Sequence, residues 1–212
     1  MLEIQVREAA KKFQFEWIFS NLSFEVPAGG KIAITGGNGS GKSTLLKCLS
    51  GQIPLTAGKV TYLRDKKPVE EAAIYRFLAI GAPYLELPEE YTLTELLRFH
   101  FRFKKKVAGM DTDDMVKIMY LEKSADKQIL YFSSGMKQRL KLGLCFFSDV
   151  PLLLLDEPVS NLDKKGIGWY QELVREYGAK KTVFVCSNDS REYGFCDRII
   201  NVEDYKPKAS IS

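Results

Sequence analysis

Gly36-Gly37-Asn38-Gly39-Ser40-Gly41-Lys42-Ser43-Thr44 is the stretch that decides the fold of this 212-residue chain. It matches the phosphate-loop pattern G-x-x-x-x-G-K-[ST] without a gap. Such a loop follows a strand and opens a helix. The β-branched run Lys31–Thr35 precedes it, leucines recur at helical spacing between Leu45 and Leu49, and Gly51 stands where that helix would end. Both flanks therefore support the motif.

The residue types of the loop suit a triphosphate. Glycines let backbone N–H groups approach phosphate oxygens without a Cβ in the way, and the following helix points its positive end at the same phosphates. Lys42 is expected to reach the β- and γ-phosphates, and the Ser43 hydroxyl to ligate Mg²⁺. The predicted nucleotide-binding set of the loop is Gly36, Asn38, Gly39, Ser40, Gly41, Lys42, Ser43 and Thr44.

Composition argues against several other classes of function. The net charge of +4 is modest, and no basic run is long enough for a nucleic-acid-binding stripe; we expect 102–106 to be a solvated face. The four cysteines share no C-x-x-C spacing and there is one histidine, so we expect no zinc site and a reducing cytosol. No apolar run approaches 18 residues, and the start lacks the apolar core of a signal peptide. We expect a cytosolic chain without direct membrane insertion.

Alternation and apolar runs predict the secondary structure. The expected strands are 2–6, 22–26, 31–35, 60–63, 74–80, 152–155, 182–187 and 198–202. Further helices are expected to open at Thr92, with Glu95 completing a capping box, and to span 111–121 and 135–147. Helix candidates separate the continuous apolar strands. This order predicts an α/β fold: a phosphate-loop, RecA-like core with a mostly parallel sheet, an antiparallel β subdomain and an inserted α-helical lobe.

One domain, 1–212, is expected. Its α/β core would comprise 1–83 and 136–212, and the helical lobe 84–135. An aromatic stripe of period two, Phe13, Phe15, Trp17 and Phe19, precedes the loop strand. Most members of such a stripe pack in a core, but an adenine base needs one aromatic face, so one of the four is expected to be exposed for stacking.

The second informative stretch is Pro151–Pro158, four leucines followed by Asp156 and Glu157. A carboxylate at the end of a buried strand beside a phosphate loop can hold Mg²⁺ through water, which is the role expected of Asp156. The next carboxylate, Glu157, can polarise an attacking water as a general base.

The third stretch is Phe132–Arg139, where Ser133, Ser134 and Gly135 stand at a predicted helix start. A serine there can be an ordinary N-cap, or the helix start can be an anion site, and nothing requires that anion to lie in the same subunit. Both interpretations stay open on the residues alone.

Taken together, these stretches resemble the nucleotide-binding subunit of ATP-binding cassette (ABC) transporters over nearly the whole chain. The order Walker A, helical lobe, signature, Walker B and D-loop is that family's order. Residues 132–136 look like its LSGGQ signature, and Ser160–Asp163 looks like its D-loop. Phe13 falls where the family's base-stacking aromatic sits, with Phe15 as an alternative.

The resemblance implies a mechanism and partners. Two subunits would meet head to tail around two ATP molecules, with Ser133, Ser134 and Gly135 contacting the nucleotide held by the other subunit. Lys42 and Glu157 would be catalytic, and Asp163 would link the two sites. The lobe would grip an integral membrane subunit, holding the chain at the inner face of the membrane. The second ATPase would be another copy or a paralogue.

Two departures from the family pattern affect the expected rate. Asn188 occupies the place of the switch histidine, where it can donate a hydrogen bond to the γ-phosphate but cannot carry a positive charge. The Q-loop glutamine is absent near 82–86, where Tyr84 or Glu86 would stand in. The signature also carries Ser134 and Met136 in place of glycine and glutamine, a milder change. Hydrolysis is therefore expected to be slow.

Three hypotheses follow from the resemblance. The first is the ATPase subunit of a short, single-cassette, haem-exporter-like transporter. The second is an ABC ATPase outside transport, in repair, translation or iron–sulfur assembly. The third is an ATP-binding module with little turnover. A kinase or GTPase would leave the second and third stretches unexplained.

Overall fold

Residues 1–207 are described by the computed structural model, and residues 208–212 of the predicted domain lie outside that range. Nine strands within 1–207 form two sheets. They are β1 (Leu2–Phe13), β2 (Glu16–Val26), β3 (Lys31–Thr35), β4 (Ala57–Arg64), β5 (Lys67–Val69), β6 (Leu78–Gly81), β7 (Leu152–Asp156), β8 (Thr182–Cys186) and β9 (Arg198–Asn201). A parallel sheet has the order β6-β7-β8-β3-β9, and an antiparallel sheet the order β2-β1-β4-β5. The predicted α/β fold is confirmed.

Six α-helices occur in the same range of residues. They are α1 (Lys42–Leu49), α2 (Leu93–Phe103), α3 (Thr112–Ile118), α4 (Ser134–Phe146), α5 (Lys164–Tyr177) and α6 (Ser190–Tyr193). The expected capping box of α2 is present, because Thr92 N–H donates to the Glu95 carboxylate at 2.8 Å and Glu95 N–H donates to the Thr92 hydroxyl at 3.3 Å. None of the helices of residues 1–207 has the length and apolar character needed to cross a bilayer.

Strand β7 explains how the layers are assembled. All five of its residues are buried, as expected for a parallel strand covered on both faces. Leu152 and Leu154 pack in the cluster that contains α1 and the antiparallel sheet, whereas Leu153 and Leu155 pack in the cluster that contains α2 to α5. Because side chains alternate between the two faces of a strand, β7 contributes to both hydrophobic cores. Asp156 lies at the carboxyl end of β7, at the edge of the sheet.

The prediction of a strand over 74–80 is wrong for its first half. Glu71–Phe77 is a 3₁₀ helix, and only Leu78–Gly81 forms a strand. In the helical part Ile74 alone is buried, because one residue per turn faces the core there. The strand needs the apolar run that begins at Leu78 and pairs with β7.

The aromatic stripe is also largely outside the core, against expectation. Phe19 is fully buried, but Phe13, Phe15 and Trp17 are exposed, Phe15 with 94% of its surface accessible. The cause is the tight turn at residues 14–15 that joins β1 to β2, which lifts the hairpin tip away from the sheet body. Lysine ammonium groups cover two of the rings, with Lys11 Nζ 4.7 Å from the ring centre of Phe13.

Candidate nucleotide-binding site

The phosphate loop leaves the carboxyl end of β3 and enters α1 through Gly41, whose φ of 109° is in the left-handed region. A Cβ at this position would lie 2.3 Å from Cγ2 of Ile18 on β2. Gly41 is therefore required twice, for its backbone conformation and for the close approach of β2.

Lys42 lies inside the loop that it completes. Its Nζ donates to the carbonyl oxygens of Gly36 at 2.7 Å and Gly37 at 3.1 Å, and the side chain is buried. The ammonium is thereby held inside the curve of backbone N–H groups, where an incoming phosphate would meet it.

The loop and the second stretch meet in one cavity. A cavity of about 280 Å³ is lined by residues 38–44 of the loop, by Glu157 and by Ile18. Gly36 is not among the lining residues, but its carbonyl oxygen accepts a hydrogen bond from Lys42, which lines the cavity. The predicted general base thus faces the predicted phosphate site.

Ile18 was missed by sequence reasoning. It stands between two members of the aromatic stripe, Trp17 and Phe19, and no motif marks it. Its apolar side chain in β2 is the one sequence feature that fits its place beside the loop. Phe13 and Phe15 are not among the residues that line this cavity; Phe13 pairs with Glu16 at the hairpin tip.

Asp156 and Ser43 form the candidate magnesium site. Asp156 is buried at the end of β7, and burial raises the pKa of its carboxyl. A hydrogen bond from the Ser43 hydroxyl lowers that pKa, and the charge of Glu157 raises it again. A buried carboxylate beside a hydroxyl and the phosphate cavity fits Mg²⁺, which takes one or two protein oxygens plus phosphates and water. The pair would hold the ion, and the positive charge of the ion would offset that of the phosphates.

Glu157 has an unusual backbone. Its φ is 43°, uncommon for a residue other than glycine, and its N–H donates to Cys186 O on β8 at 2.9 Å. The side chain is exposed. Such strained positions cluster at functional sites, and this one turns the carboxylate from the strand end towards the loop cavity.

Two side chains hold the first two amides of the loop. The Gly36 N–H donates to Asn188 Oδ1 at 3.2 Å, and the Gly37 N–H donates to Glu203 Oε1 at 3.0 Å. The Asn188 contact follows from the predicted switch position after β8. Glu203 was missed, because no motif marks it and it lies 166 positions from its partner.

Tyr84 approaches the same site from the other side. Lys47 Nζ of α1 lies 4.2 Å from the centre of its ring. The pKa of Tyr84 is raised to about 12 by burial, with a further contribution from the charge of Asp156. Glu86 instead lines a cleft with Pro83, other residues of 85–90, Lys137 and Lys141, and it does not line the loop cavity.

The signature-like residues stand at the exposed start of α4. Ser133 is its N-cap, with its hydroxyl accepting from Met136 N–H at 3.3 Å. A Cβ on Gly135 would lie 3.0 Å from Asn161 O, so the signature abuts the D-loop of its own chain. Ser133, Ser134 and Gly135 do not line the cavity of their own phosphate loop.

Asp163 lies at the end of the D-loop and caps α5. Its carboxylate accepts from Gly166 N–H at 2.7 Å. Deeper in the same region, Gln138 Nε2 donates to Pro158 O at 2.7 Å and Val159 N–H donates to the buried Glu192 at 2.7 Å. Pro158 and Val159, the two residues just before the D-loop, are therefore tied to α4 and to α6.

Comparison with known proteins agrees with this geometry. The family model described as ABC transporter matches residues 19–160. The chain is 28% identical over 196 residues to the uncharacterized ABC transporter ATP-binding protein YybJ of Bacillus subtilis (strain 168), covering 92% of this chain and 89% of that one. It is 31% identical over 198 residues to the Nod factor export ATP-binding protein I of Bradyrhizobium diazoefficiens, covering 91% of this chain and 65% of the longer relative.

Solved structures show the same fold. A putative ABC transporter ATP-binding protein from Pyrococcus furiosus superposes with a TM-score of 0.80 at 17% identity, covering 96% of this chain and 99% of that one. The dimeric cassette MJ0796, in a post-hydrolysis state bound to ADP and Pi, superposes with a TM-score of 0.77 at 22% identity and 97% coverage of both chains. Family model, relatives and site geometry agree, and the chain belongs to the ATP-binding cassettes of ABC transporters, the ATPase subunits that drive transport.

Proposed function

We propose that two copies of this chain, or this chain and a paralogue, close head to tail around two ATP molecules. One observation carries the proposal: Glu157 shares a cavity with its own phosphate loop, whereas the exposed Ser133–Gly135 segment does not. A helix start acts as an anion site only if a phosphate reaches it. A partner's loop would bring that phosphate.

Each side chain then has a role in the closed site. Lys42 would contact the β- and γ-phosphates, and Glu157 would polarise the attacking water. The –NH₂ group of Asn188 would donate to the γ-phosphate, since its carbonyl end accepts from Gly36 N–H. Asp163 would act by fixing the D-loop between the two sites, because its carboxylate holds the first turn of α5.

Tyr84 would take the place of the missing glutamine. Lys47 Nζ of α1 lies 4.2 Å from the centre of its ring, and the charge of Asp156 adds to the rise in the pKa of its phenol, so we assign its hydroxyl to the magnesium side of the site. Glu86 does not line this cavity.

The base of the nucleotide is expected beside β2. Ile18 supplies an apolar contact at the loop, and Phe13 is the exposed aromatic that would swing over the base when it binds.

The membrane subunit would dock on the lobe. The cleft lined by Pro83, residues 85–90, Lys137 and Lys141 contains both chain neighbours of Tyr84 and offers a groove for a partner helix. Docking there would place this chain at the inner face of the membrane. The direction is proposed to be export, as in the relatives named for Nod factor export. The narrower haem-exporter-like type stays a prediction from chain length.

The first experiment measures Mg-ATP turnover and size exclusion in ATP for the wild type and Glu157→Gln. We expect Glu157→Gln to abolish turnover and trap a dimer, whereas the matched control Glu122→Gln, an exposed carboxylate in the lobe, should behave as wild type. If Glu157→Gln changes neither rate nor dimer, the chain is an ATP-binding module without this mechanism.

A mixing experiment tests the head-to-tail arrangement. Lys42→Ala and Ser133→Arg should each abolish turnover alone. Mixed in equal amounts, the two variants form dimers in which one site has both changes and the other has neither, so part of the activity should return. If Ser133 acted within its own chain, every site would stay defective and mixing would restore nothing.

A further inference from the structure

A large cavity lies at the edge of the parallel sheet opposite the phosphate loop. It has a volume of about 1040 Å³. Phe77, Pro151 and Lys181, which line it, stand immediately before β6, β7 and β8. Asp156 and the phosphate loop lie at the carboxyl ends of the strands, about 13 Å away along a five-residue strand. The cavity is therefore separate from the site described above.

The lining is strongly cationic. Its basic side chains are Arg64, Arg76, Lys104, Lys105, Lys180 and Lys181, and its acidic ones are Asp149 and Glu176. The lining carries a formal charge of +4, which equals the net charge of the whole chain. The rest of the protein is neutral in sum, so the excess charge is concentrated here and attracts anions.

Two of these lysines have no carboxylate within 4.0 Å; Lys181 is buried and Lys104 is half-buried. Lys181 is 8% exposed, and its Nζ donates to Phe146 O at 2.9 Å and Ser148 O at 2.7 Å. Lys104 Nζ donates to the carbonyl oxygens of Tyr75 and Leu78. Of residues 102–106, predicted to be a solvated face, Lys104 at the end of α2 is half-buried and the other four are exposed.

Carbonyl dipoles do not cancel these charges. Among residues 1–207, Arg64 is the one basic side chain of the lining with a carboxylate within 4.0 Å, that of Asp65. Buried charges are ordinarily paired. Burial lowers the pKa of Lys181 to about 8, although the charge of Asp149 opposes that shift. An anion in the cavity would supply the missing partner.

Aromatic rings stand beside the cations. Phe103 is 76% exposed, Tyr75 is 58% exposed, and Tyr177 is partly exposed. Large apolar rings at the mouth of a cationic cavity suit the flat face of a base, whereas arginine and lysine suit phosphate. The volume is at the upper end of the range of small-molecule sites.

We propose that this cavity binds a nucleotide, with its phosphates on the lysines and arginines and its base on Phe103 and Tyr75. The site would be distinct from the phosphate loop and would give the chain two nucleotides per copy. It goes beyond ATP hydrolysis at the loop and does not depend on dimer closure.

Calorimetric titration of the full chain with ADP, AMP and pyrophosphate tests the proposal. The site variant is Lys105→Glu/Lys180→Glu, two exposed lysines of the lining. Its matched control is Lys59→Glu/Lys123→Glu, two exposed lysines outside it with the same change in charge. Lys42→Ala removes the phosphate-loop site.

We expect two ADP per chain for the wild type and the control, and one for both Lys42→Ala and the site variant. In the Lys42→Ala background, Phe103→Ser should weaken AMP at least tenfold and leave pyrophosphate within about twofold. The proposal is overturned if Lys42→Ala binds no nucleotide, or if the site variant still binds two. If Phe103→Ser weakened the binding of pyrophosphate and AMP equally, the ring would not contact a base. The cavity could then not be assigned to nucleotides.

Discussion

The Oδ1 atom of Asn188 accepts a hydrogen bond from the backbone N–H of Gly36 at 3.2 Å. Asn188, two residues after β8, is thus in direct contact with the first residue of the phosphate loop. In the proposed closed site, Asn188 would contact the loop and the γ-phosphate together. Asparagine provides a donor for the phosphate but no charge, so it stabilises the transition state less than a cation would.

Asn188→His is therefore expected to speed ATP hydrolysis. Wild-type turnover should fall well below the enzyme median of about 10 s⁻¹, and the histidine should raise it by about one order of magnitude. Phosphate release at saturating Mg-ATP measures this, with Asn188→Ala expected to be slower than wild type. A histidine variant no faster than alanine would show that Asn188 has no role at the γ-phosphate.

Glu203 places a negative charge on the loop through its bond to Gly37 N–H. Replacing it with glutamine keeps an acceptor and removes the charge, so ATP affinity should rise by roughly threefold to tenfold at low salt and less at high salt. Asp204→Asn is the matched control, since it removes the same charge from the next residue. Titration with ATP in the two salts gives the comparison; equal effects of both variants would mean that only the overall field matters.

Substitution of Gly41 tests how closely β2 packs against the phosphate loop. Gly41→Ala forces a Cβ within 2.3 Å of Ile18 at a φ of 109°, whereas Gly39→Ala meets nothing within 4 Å at a φ of 75°. Both carry backbone strain of about 1–3 kcal/mol, but only the first adds a clash. In urea unfolding without nucleotide, we expect Gly41→Ala to lose clearly more stability. Equal losses would remove the steric argument and leave strain alone.

The same residues show what sequence can and cannot predict. The loop, the runs that form β7 and β8, and the Thr92 capping box are local patterns, and each was predicted from neighbours in the chain. Glu203 meets Gly37 across 166 positions, and Ile18 meets Gly41 from another sheet, so no local pattern reports either contact. The Glu71–Phe77 segment fails for the related reason that its apolar residues suit a strand and a buried helical turn equally.

The half-buried position of His100 leads us to expect that the protein becomes less stable in mild acid. Burial, aided by the nearby charge of Lys104, lowers its pKa to about 4, and its Nε2 lies 3.2 Å from Ser148 Oγ. Between pH 6.5 and 4 the unfolded chain binds a proton that the folded chain does not, so the free energy of unfolding falls by about 2–3 kcal/mol as the pH drops through that window.

It is the single histidine of the chain, so one variant isolates the effect. Urea unfolding of wild type and His100→Gln at pH 7 and pH 4.5 should show a smaller loss for the variant. The comparison uses the difference in stability loss between the wild type and the variant, because other groups also titrate in this range. Carboxyls with raised pKa values, such as Glu192, bind a proton more readily in the folded chain and so stabilise it as the pH falls. Parallel curves would exclude His100 as the cause.

Tyr84 and Glu86 can be separated as substitutes for the missing glutamine. Tyr84→Phe keeps the ring over Lys47 and removes only the hydroxyl near Asp156. If that hydroxyl helps to position the metal and water, kcat should fall by about tenfold with little change in KM, because the interaction belongs to the transition state. Glu86→Gln changes a residue of the neighbouring cleft and should leave the kcat of the isolated chain unchanged. Steady-state kinetics of the two variants distinguishes the two residues. A fall in kcat for Glu86→Gln alone would assign the role of the missing glutamine to Glu86, although Glu86 does not line the loop cavity.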